Sequence, residues 1–571
     1  MSKELDSASH NAPVDVIIQF KKVPANTHHR KVTDRGGFHK GNLDAIKGGL
    51  YSVPGGALAA LAADADVSYI SPDRVVRGTL DYAAEAIGAN LARSYGYDGK
   101  GVGVAIIDSG FSDVSDDLNT WTASAPGTYG KPTSRIVYAK SFVKGGTADD
   151  YGHGTHVAGV VGGNGYDSIG QSMGGVPYTR TFLGVAPDVK FINLRVLDKN
   201  GAGKDSNVIA AISEAIRVKS TYNIRVINLS LGRPVFESYR TDPLCQAVES
   251  AWKAGIVVVV SAGNSGRVNT QQTGGYATIT SPGNDPYVIT VGAMKTNGTP
   301  ARGDDTIASY SSKGPSLIDH IVKPDLVAPG NRVISLNNVD AVLWNTYSPD
   351  VSVLAASYIP GNSGYSRNYA KLSGTSMAAP MVSGAAALLL QQNPSLTPDQ
   401  IKARLMRTAV KSFPSSSFVI DGGVSYYSQY DAFTVGAGYL NIYAALADTA
   451  LVPAGKRALS PLAVYDAASN KVQMVFNPAS VCGDPAVRDS SAVWGAFCAN
   501  SAVWGDSAVW GDSAVWGDSA IWGTSAVWGN SAVWGSTGTQ GFSAVWGDSA
   551  IWGSSTTPTV EAVNTLVKGE N

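Results

Sequence analysis

Residues 101–110 read Gly-Val-Gly-Val-Ala-Ile-Ile-Asp-Ser-Gly. The apolar run 102–107 is short and bounded by glycines, the pattern of a strand buried on both faces of a parallel sheet. Asp108 then stands at the carboxyl end of that strand, where open α/β sheets build their sites. Three further stretches follow. Asp150-Tyr-Gly-His153-Gly-Thr-His156 approaches a helix through glycine, and Gly255-Ile-Val-Val-Val-Val-Ser-Ala-Gly-Asn264 ends a second buried strand on an amide side chain. Gly374-Thr-Ser-Met-Ala-Ala-Pro380 sets Ser376 at the mouth of a long apolar helix, where the helix dipole favours developing negative charge.

The order Asp, His, Asn, Ser has a chemical logic. A serine hydroxyl is a poor nucleophile until an imidazole takes its proton, and the imidazole needs a carboxylate on its other nitrogen to fix the tautomer. The tetrahedral intermediate then places charge on oxygen, which calls for preorganised donors. On this reading Ser376 is the nucleophile, His153 the general base and then acid, and Asp108 the orienter. Asn264 and the Ser376 backbone N–H make the oxyanion hole. Taken singly the signals are ordinary: Asp-Ser-Gly after a strand is a turn, and Asn-Ser-Gly a loop. His153 and His156, three apart, also raise a metal pair. Zinc hydrolases of the His-Glu-x-x-His kind space the pair by four with a glutamate between, so no metal ligand is assigned and His156 reads as a packed structural residue.

These blocks resemble the signatures of the subtilisin-like serine proteases, the subtilase family, from about residue 100 to about 445. Asn228-Leu-Ser-Leu-Gly232, Ser281-Pro282, Tyr310-Ser-Ser-Lys-Gly-Pro315 and Lys323-Pro-Asp-Leu-Val-Ala-Pro-Gly330 add to the likeness. The resemblance implies an α/β fold, a doubly wound and mostly parallel sheet flanked by helices, and endopeptidase activity on polypeptide substrates. It also implies that Ser230, Leu231 and Gly232 form the edge that pairs with extended substrate. No cofactor is expected for catalysis. A structural Ca2+ is a family feature that the Gly-rich loop 163–184 does not allow to be assigned, having no dense Asp/Asn ligand spacing.

Length and composition bound the rest. A chain of 571 residues predicts two or three domains. A net charge of −1 without a basic stretch gives no support to a nucleic-acid partner, and no run of about eighteen apolar residues predicts a membrane span. The start, Met1-Ser-Lys-Glu-Leu-Asp, has no apolar signal region. Either a signal has been trimmed or the protein is intracellular; the family resembled is mostly exported, so a trimmed, secreted, monomeric enzyme is the expectation. Cys245 reads as a buried thiol; Cys482 and Cys498 are candidates for one disulfide in an oxidising compartment.

Residues 1–80 form a separate α+β unit: a strand at 14–20, a helix at 56–64, and strands at 67–70 and 74–77. Its position is similar to the family's propeptide, which acts as folding template and intramolecular inhibitor, with autocleavage expected between Gly78 and Gly88. The alternative is an ordinary subdomain that stays attached. Four of the seven histidines, His10, His28, His29 and His39, fall in this unit and read as solvated loop residues.

The catalytic domain is set at 81–450. Within it an insertion at 337–370, carrying Trp344, Tyr347, Tyr358, Tyr365 and Tyr369, either walls the substrate groove or covers its own apolar side chains. Gly274-Gly275 hints at room for a sizeable side chain before the scissile bond; no pocket acid is identifiable, so broad, mildly apolar specificity is expected. A linker is set at 451–490 and a tail at 554–571. Between them, residues 491–553 hold nine copies of Ser-Ala-(Val/Ile)-Trp-Gly. Most recur every six residues, an even period that would put every Trp on one face of an extended chain, so a β-like repeat is expected. It reads as a structural element or as a module that holds the enzyme to a substrate or surface. Two other readings of the whole chain are an inactive binding scaffold and a dedicated processing protease.

Overall fold

The computed structural model describes residues 1–2, 5, 12–72, 82–112, 115–121, 132–169, 177–268, 273–466, 471–484 and 557–570. The tryptophan repeats and the expected strand at 74–77 lie outside these residues. The chain divides into two compact units, Met1–Gly78 and Thr79–Asn571.

In the first unit the strand Pro13–Phe20 lies inside a four-stranded sheet, antiparallel to Gly48–Pro54 on one side and Val67–Pro72 on the other, with Phe38–Leu43 at the edge. Its alternate residues Val16, Ile18 and Phe20 point inward, as a half-buried strand requires, and meet Tyr51, Val53, Leu58, Leu61 and Ile70 in a core of their own. The helix Asn26–Thr33 and the edge strand escape a sequence reading because neither has a strong apolar period; Val32 is the one buried residue of that helix. His28 and His29 stand on this helix and His39 on the edge strand, half-buried rather than solvated in loops. His29 Nδ1 lies 2.8 Å from the Tyr51 hydroxyl, and the His29 and His39 rings are stacked at 4.1 Å.

The second unit is built on an eight-stranded sheet. Its order is Thr306–Ile307, Ile289–Lys295, Val257–Ser261, Ile224–Leu229, Gly103–Asp108, Lys190–Arg195 and Ile136–Ser141, with Leu326–Pro329 also paired to Ile289–Lys295. All these pairings are parallel except that of Thr306–Ile307. Every residue of Gly103–Asp108 and of Val257–Ser261 is buried, which explains their unbroken apolar runs. Gly103–Asp108 is the switch point. The strands that follow it first go to one side and the later ones to the other, opening a crevice at its carboxyl end. The helices His153–Gly162 and Thr375–Gln392 pack together against the sheet, as do Asp205–Tyr222 and Pro243–Lys253.

Two segments depart from expectation. The 337–370 insertion is an ordered subdomain: helix Val342–Val351 and a three-stranded antiparallel sheet of Val333–Leu336, Tyr365–Leu372 and Ser352–Leu354. Tyr358 and Tyr369 are core residues that pack against Phe182, while Tyr365 is exposed. Residues 451–490, read as a linker, carry an antiparallel hairpin of Leu462–Asp466 and Lys471–Val475 whose Ala463 and Val472 enter the main core. Cys245 is a free, buried thiol, whereas Cys482 is disulfide-bonded to a partner outside the described residues.

A buried ion network holds the strand that leads to the site. Asp325, just ahead of Leu326–Pro329, accepts from Lys323 Nζ at 2.7 Å and pairs with Lys402 Nζ at 3.1 Å, all three side chains being fully buried. Burial alone would raise the Asp325 pKa, but the two ammonium groups outweigh it and hold it below 3.8. The Asp325 contribution is lost as the pH falls through its native value, whereas burial pushes Lys402 down to about 7, so that its charge is lost as the pH rises through neutrality. Asp325→Asn removes the anion shared by two buried lysines and is expected to cost about 3–5 kcal/mol. Urea unfolding of a Ser376→Ala background, which avoids self-digestion, measures this; an unchanged midpoint would show that the network does not hold the strand.

Candidate active site

The ends of the Ile224–Leu229 and Val257–Ser261 strands and the starts of the helices that carry His153 and Ser376 converge on one cleft of about 530 Å³. Asp108 ends the switch-point strand and is 1% exposed; His153 opens the helix His153–Gly162 and is 6% exposed. His153 Nδ1 and Asp108 Oδ1 are 2.8 Å apart, and Asp108 Oδ1 also accepts the Ser109 N–H at 2.7 Å. Burial works against a proton on His153, but the charge and hydrogen bond of Asp108, with the charge of Asp149, outweigh it and raise the imidazole pKa above 6.5.

Asp149 was not singled out by the sequence reading. Its carboxylate accepts the N–H groups of Gly152 at 2.7 Å, Thr155 at 2.8 Å and Tyr151 at 3.1 Å, and the Ser109 hydroxyl at 2.8 Å. It therefore caps the histidine helix and ties it to the end of the Asp108 strand. The available signal was an acidic residue just ahead of a glycine-led helix start. Further support comes from the 337–370 subdomain, where the Val342 and Leu343 N–H groups bond the Asp150 and Tyr151 carbonyls, each at 3.0 Å.

Ser376 occupies the second position of the helix Thr375–Gln392, whose residues are otherwise buried through Leu390. Position and exposure together leave its N–H without an intrahelical acceptor and facing the cleft. The preceding two N–H groups are spoken for: Gly374 donates to the Gly330 carbonyl at 2.8 Å and Thr375 to Asn264 Oδ1 at 2.9 Å. Since Asn264 Oδ1 also accepts the Thr375 hydroxyl, its Nδ2 is the atom left to face outward. Gly374 has φ +141°, and a Cβ there would meet Asn264 Nδ2 at 3.0 Å, so this approach requires glycine.

Pro380 sits four residues after Ser376 and lacks the N–H that would bond the Ser376 carbonyl. The Ser230 hydroxyl fills that role, donating to the Ser376 carbonyl at 2.7 Å. The Ser376 hydroxyl in turn donates to the Ser230 carbonyl at 3.1 Å. Ser230, Leu231 and Gly232 extend the Ile224–Leu229 strand along the cleft wall, together with Gly263, Asn264 and Thr280.

Other expectations fall elsewhere. Gly274 and Gly275 are absent from the cleft wall; a Cβ on Gly275 would sit 1.8 Å from the Gly266 carbonyl oxygen, so close backbone packing accounts for it. The insertion's five aromatic residues do not line the cleft either. His156 is buried with Nε2 donating to the Val333 carbonyl at 3.0 Å, and burial pushes its pKa down to about 3. His153 and His156 thus serve separate partners. Near the loop 163–184, Asp117 spends its oxygens on the Asp167 N–H and the Tyr369 hydroxyl, and burial raises its pKa to about 6. Among the described residues no group of three or more His, Cys, Asp or Glu is placed to hold a metal ion.

The arrangement offers an exposed hydroxyl, an imidazole backed by a buried carboxylate, and two outward N–H donors in one crevice, which suits acyl transfer. The Subtilase family model matches residues 99–438. The serine protease AprX of Bacillus subtilis is 38% identical over 342 residues, covering 58% of this chain and 67% of that protein. Subtilisin DY of Bacillus licheniformis is 33% identical over 64% of this chain and 98% of its own length. Subtilisin E of Bacillus subtilis is 30% identical over 72% and 88%. With a family match over more than half its length, set on an α/β sheet with this crevice, the chain belongs to the subtilase family and is a serine endopeptidase.

Proposed function

We propose that Ser376, His153 and Asp108 carry out peptide-bond hydrolysis through an acyl-enzyme, and the hydrogen bond between His153 and the buried Asp108 is the observation that carries this reading. The Ser376 hydroxyl turns from the Ser230 carbonyl toward His153 Nε2 and attacks the scissile carbonyl as Nε2 takes its proton. Asp108 keeps the proton on Nδ1 and stabilises the imidazolium. The oxyanion is met by Asn264 Nδ2 and the Ser376 N–H. His153 then protonates the leaving amine, and water repeats the sequence to release the acyl group. Every proton transfer and charge contact is supplied by protein groups, so the chemistry calls for no cofactor.

Ser230–Gly232 would pair with the acyl side of an extended substrate. The acid in the cleft wall, Asp205, is bonded to Arg233 at 2.8 Å, which supports broad, mildly apolar specificity over cleavage after basic pairs. Export of a monomeric enzyme is our reading of the compartment, supported by the disulfide at Cys482; no helix among the described residues is long and apolar enough to cross a membrane.

The first unit acts in this reading as a propeptide. Its separate core supports independent folding. Ala83, Ala84 and Ile87 belong to the core of the second unit, which supports cleavage ahead of Tyr82 rather than near Gly88. Intact-mass and N-terminal analysis of wild type beside Ser376→Ala tests protease and propeptide together. Wild type should lose about 8–9 kDa, the size of a unit of this length, and the variant should keep its N-terminus. Fully active enzyme with its first residues intact would refute the propeptide.

A pH profile tests the His153 assignment. For a peptide substrate that does not itself titrate, kcat/KM should rise with pH through a pKa above 6.5, because the base must be neutral and Asp108 favours its protonated form. Asp108→Asn should reduce kcat on the order of 10⁴-fold, the loss seen when such a triad loses its carboxylate. An unshifted acidic limb together with a small loss would remove Asp108 from the mechanism.

A further inference from the structure

The helix Thr557–Lys568, downstream of the repeats, returns to the catalytic cleft. Val563 and Leu566 line the same crevice as His153 and Ser376. The Leu566 carbonyl accepts the Ser373 N–H at 2.8 Å, three residues from the nucleophile. Gly569 presses so closely on Ser373 that a Cβ would lie 2.3 Å from the Ser373 hydroxyl.

The docking is anchored by a buried charge. Glu570 is fully buried, and its Oε2 accepts the Arg267 guanidinium at 3.0 Å and the Ser309 N–H at 2.8 Å, with the Ser309 hydroxyl also bonded to it. Its backbone exchanges two hydrogen bonds with the Asn331 amide, both 2.8 Å. Arg267 lies three residues past Asn264 and is itself held by Asp421 at 2.8 Å and by the Tyr426 ring at 4.5 Å. Burying a carboxylate is costly without partners, and Oε2 here has a guanidinium and an N–H, so this is a built contact rather than a chance one.

Its position selects a role. The helix packs against Tyr365–Leu372, which leads into Ser373, and against Val342–Val351, whose first N–H groups hold the turn before His153. One of these neighbours leads into the Ser376 helix and the other holds the turn before His153. The acyl-side edge Ser230–Gly232 extends from the Ile224–Leu229 strand. The leaving amine is the part of the substrate that must approach His153.

We propose that residues 557–570 form the leaving-group wall of the cleft, with Val563 and Leu566 giving apolar contact to the substrate residues just after the scissile bond. The assignment rests on the endopeptidase reading above. It makes a segment beyond the tryptophan repeats a determinant of specificity in the catalytic domain.

The test uses the active enzyme with its C-terminal segment intact. An acyl-peptide p-nitroanilide, which has no amino acid after the scissile bond, forms the acyl-enzyme; added dipeptide amides then compete with water for it. The ratio of aminolysis to hydrolysis reads leaving-side binding and does not depend on how much of a variant is folded. Leu566→Ala should lower the preference for leucyl over glycyl dipeptide amides about fivefold, as expected for losing part of one buried apolar contact, and Leu566→Met should largely restore it. An unchanged preference in Leu566→Ala would overturn the proposal. So would an unchanged preference with a higher turnover, which would make the segment an inhibitory plug. Failure of wild type to release p-nitroaniline would remove the endopeptidase reading, and this one with it.

Discussion

The first turn of a helix has N–H groups that the helix cannot satisfy, and the catalytic unit is arranged around that constraint. The helix Thr375–Gln392 is apolar on all sides and lies in the core, so its opening N–H groups must find partners or face substrate. Gly374 finds the Gly330 carbonyl and Thr375 finds Asn264. Ser376 comes third and is left for the cleft. The two satisfied groups position the free one, and the bond that takes Asn264 Oδ1 is the same bond that turns Nδ2 outward. Pro380 adds a further consequence of the same geometry, releasing the Ser376 carbonyl to the Ser230 hydroxyl and so tying this helix to the end of the Ile224–Leu229 strand.

Electrostatics in this crevice depends on burial. With Asp108 almost wholly out of water, its charge acts on His153 through a medium that screens it weakly, which is why a buried imidazole still has a raised pKa. Asp149 supports this at one remove by capping the histidine helix and bonding Ser109. The site is thus a set of shared atoms: Ser109 Oγ gives its proton to Asp149 and accepts the Gly154 N–H at 2.9 Å. Moving any one of these groups displaces the next.

Material outside the family match contributes to the catalytic unit. The hairpin at 462–475 places Ala463 and Val472 in the main core, and the helix at 557–568 reaches the cleft. Residues on both sides of the repeat segment are therefore packed on the same unit. The catalytic unit is thus completed by a segment far along the chain.

Much of the site was legible in the sequence because backbone geometry forces particular residues into particular places. A buried strand reads as an apolar run, a helix mouth that must approach a side chain reads as glycine, and a carboxylate at a strand end reads as a site in an α/β sheet. These local signals determined the sheet type, the four blocks and their order. Asp149 was hidden because a cap acting from four residues away has no fixed sequence spacing. The helix Asn26–Thr33 was hidden because one buried valine gives no period. Gly274-Gly275 misled because a glycine needed for backbone contact looks the same as one that opens a pocket. Only the tertiary structure decided that the 337–370 insertion supports the histidine turn, that residues 451–484 belong to the core, and that Glu570 is buried against Arg267. Such contacts join positions hundreds of residues apart, and their energy comes from burial and charge pairing that exist only once the chain is folded.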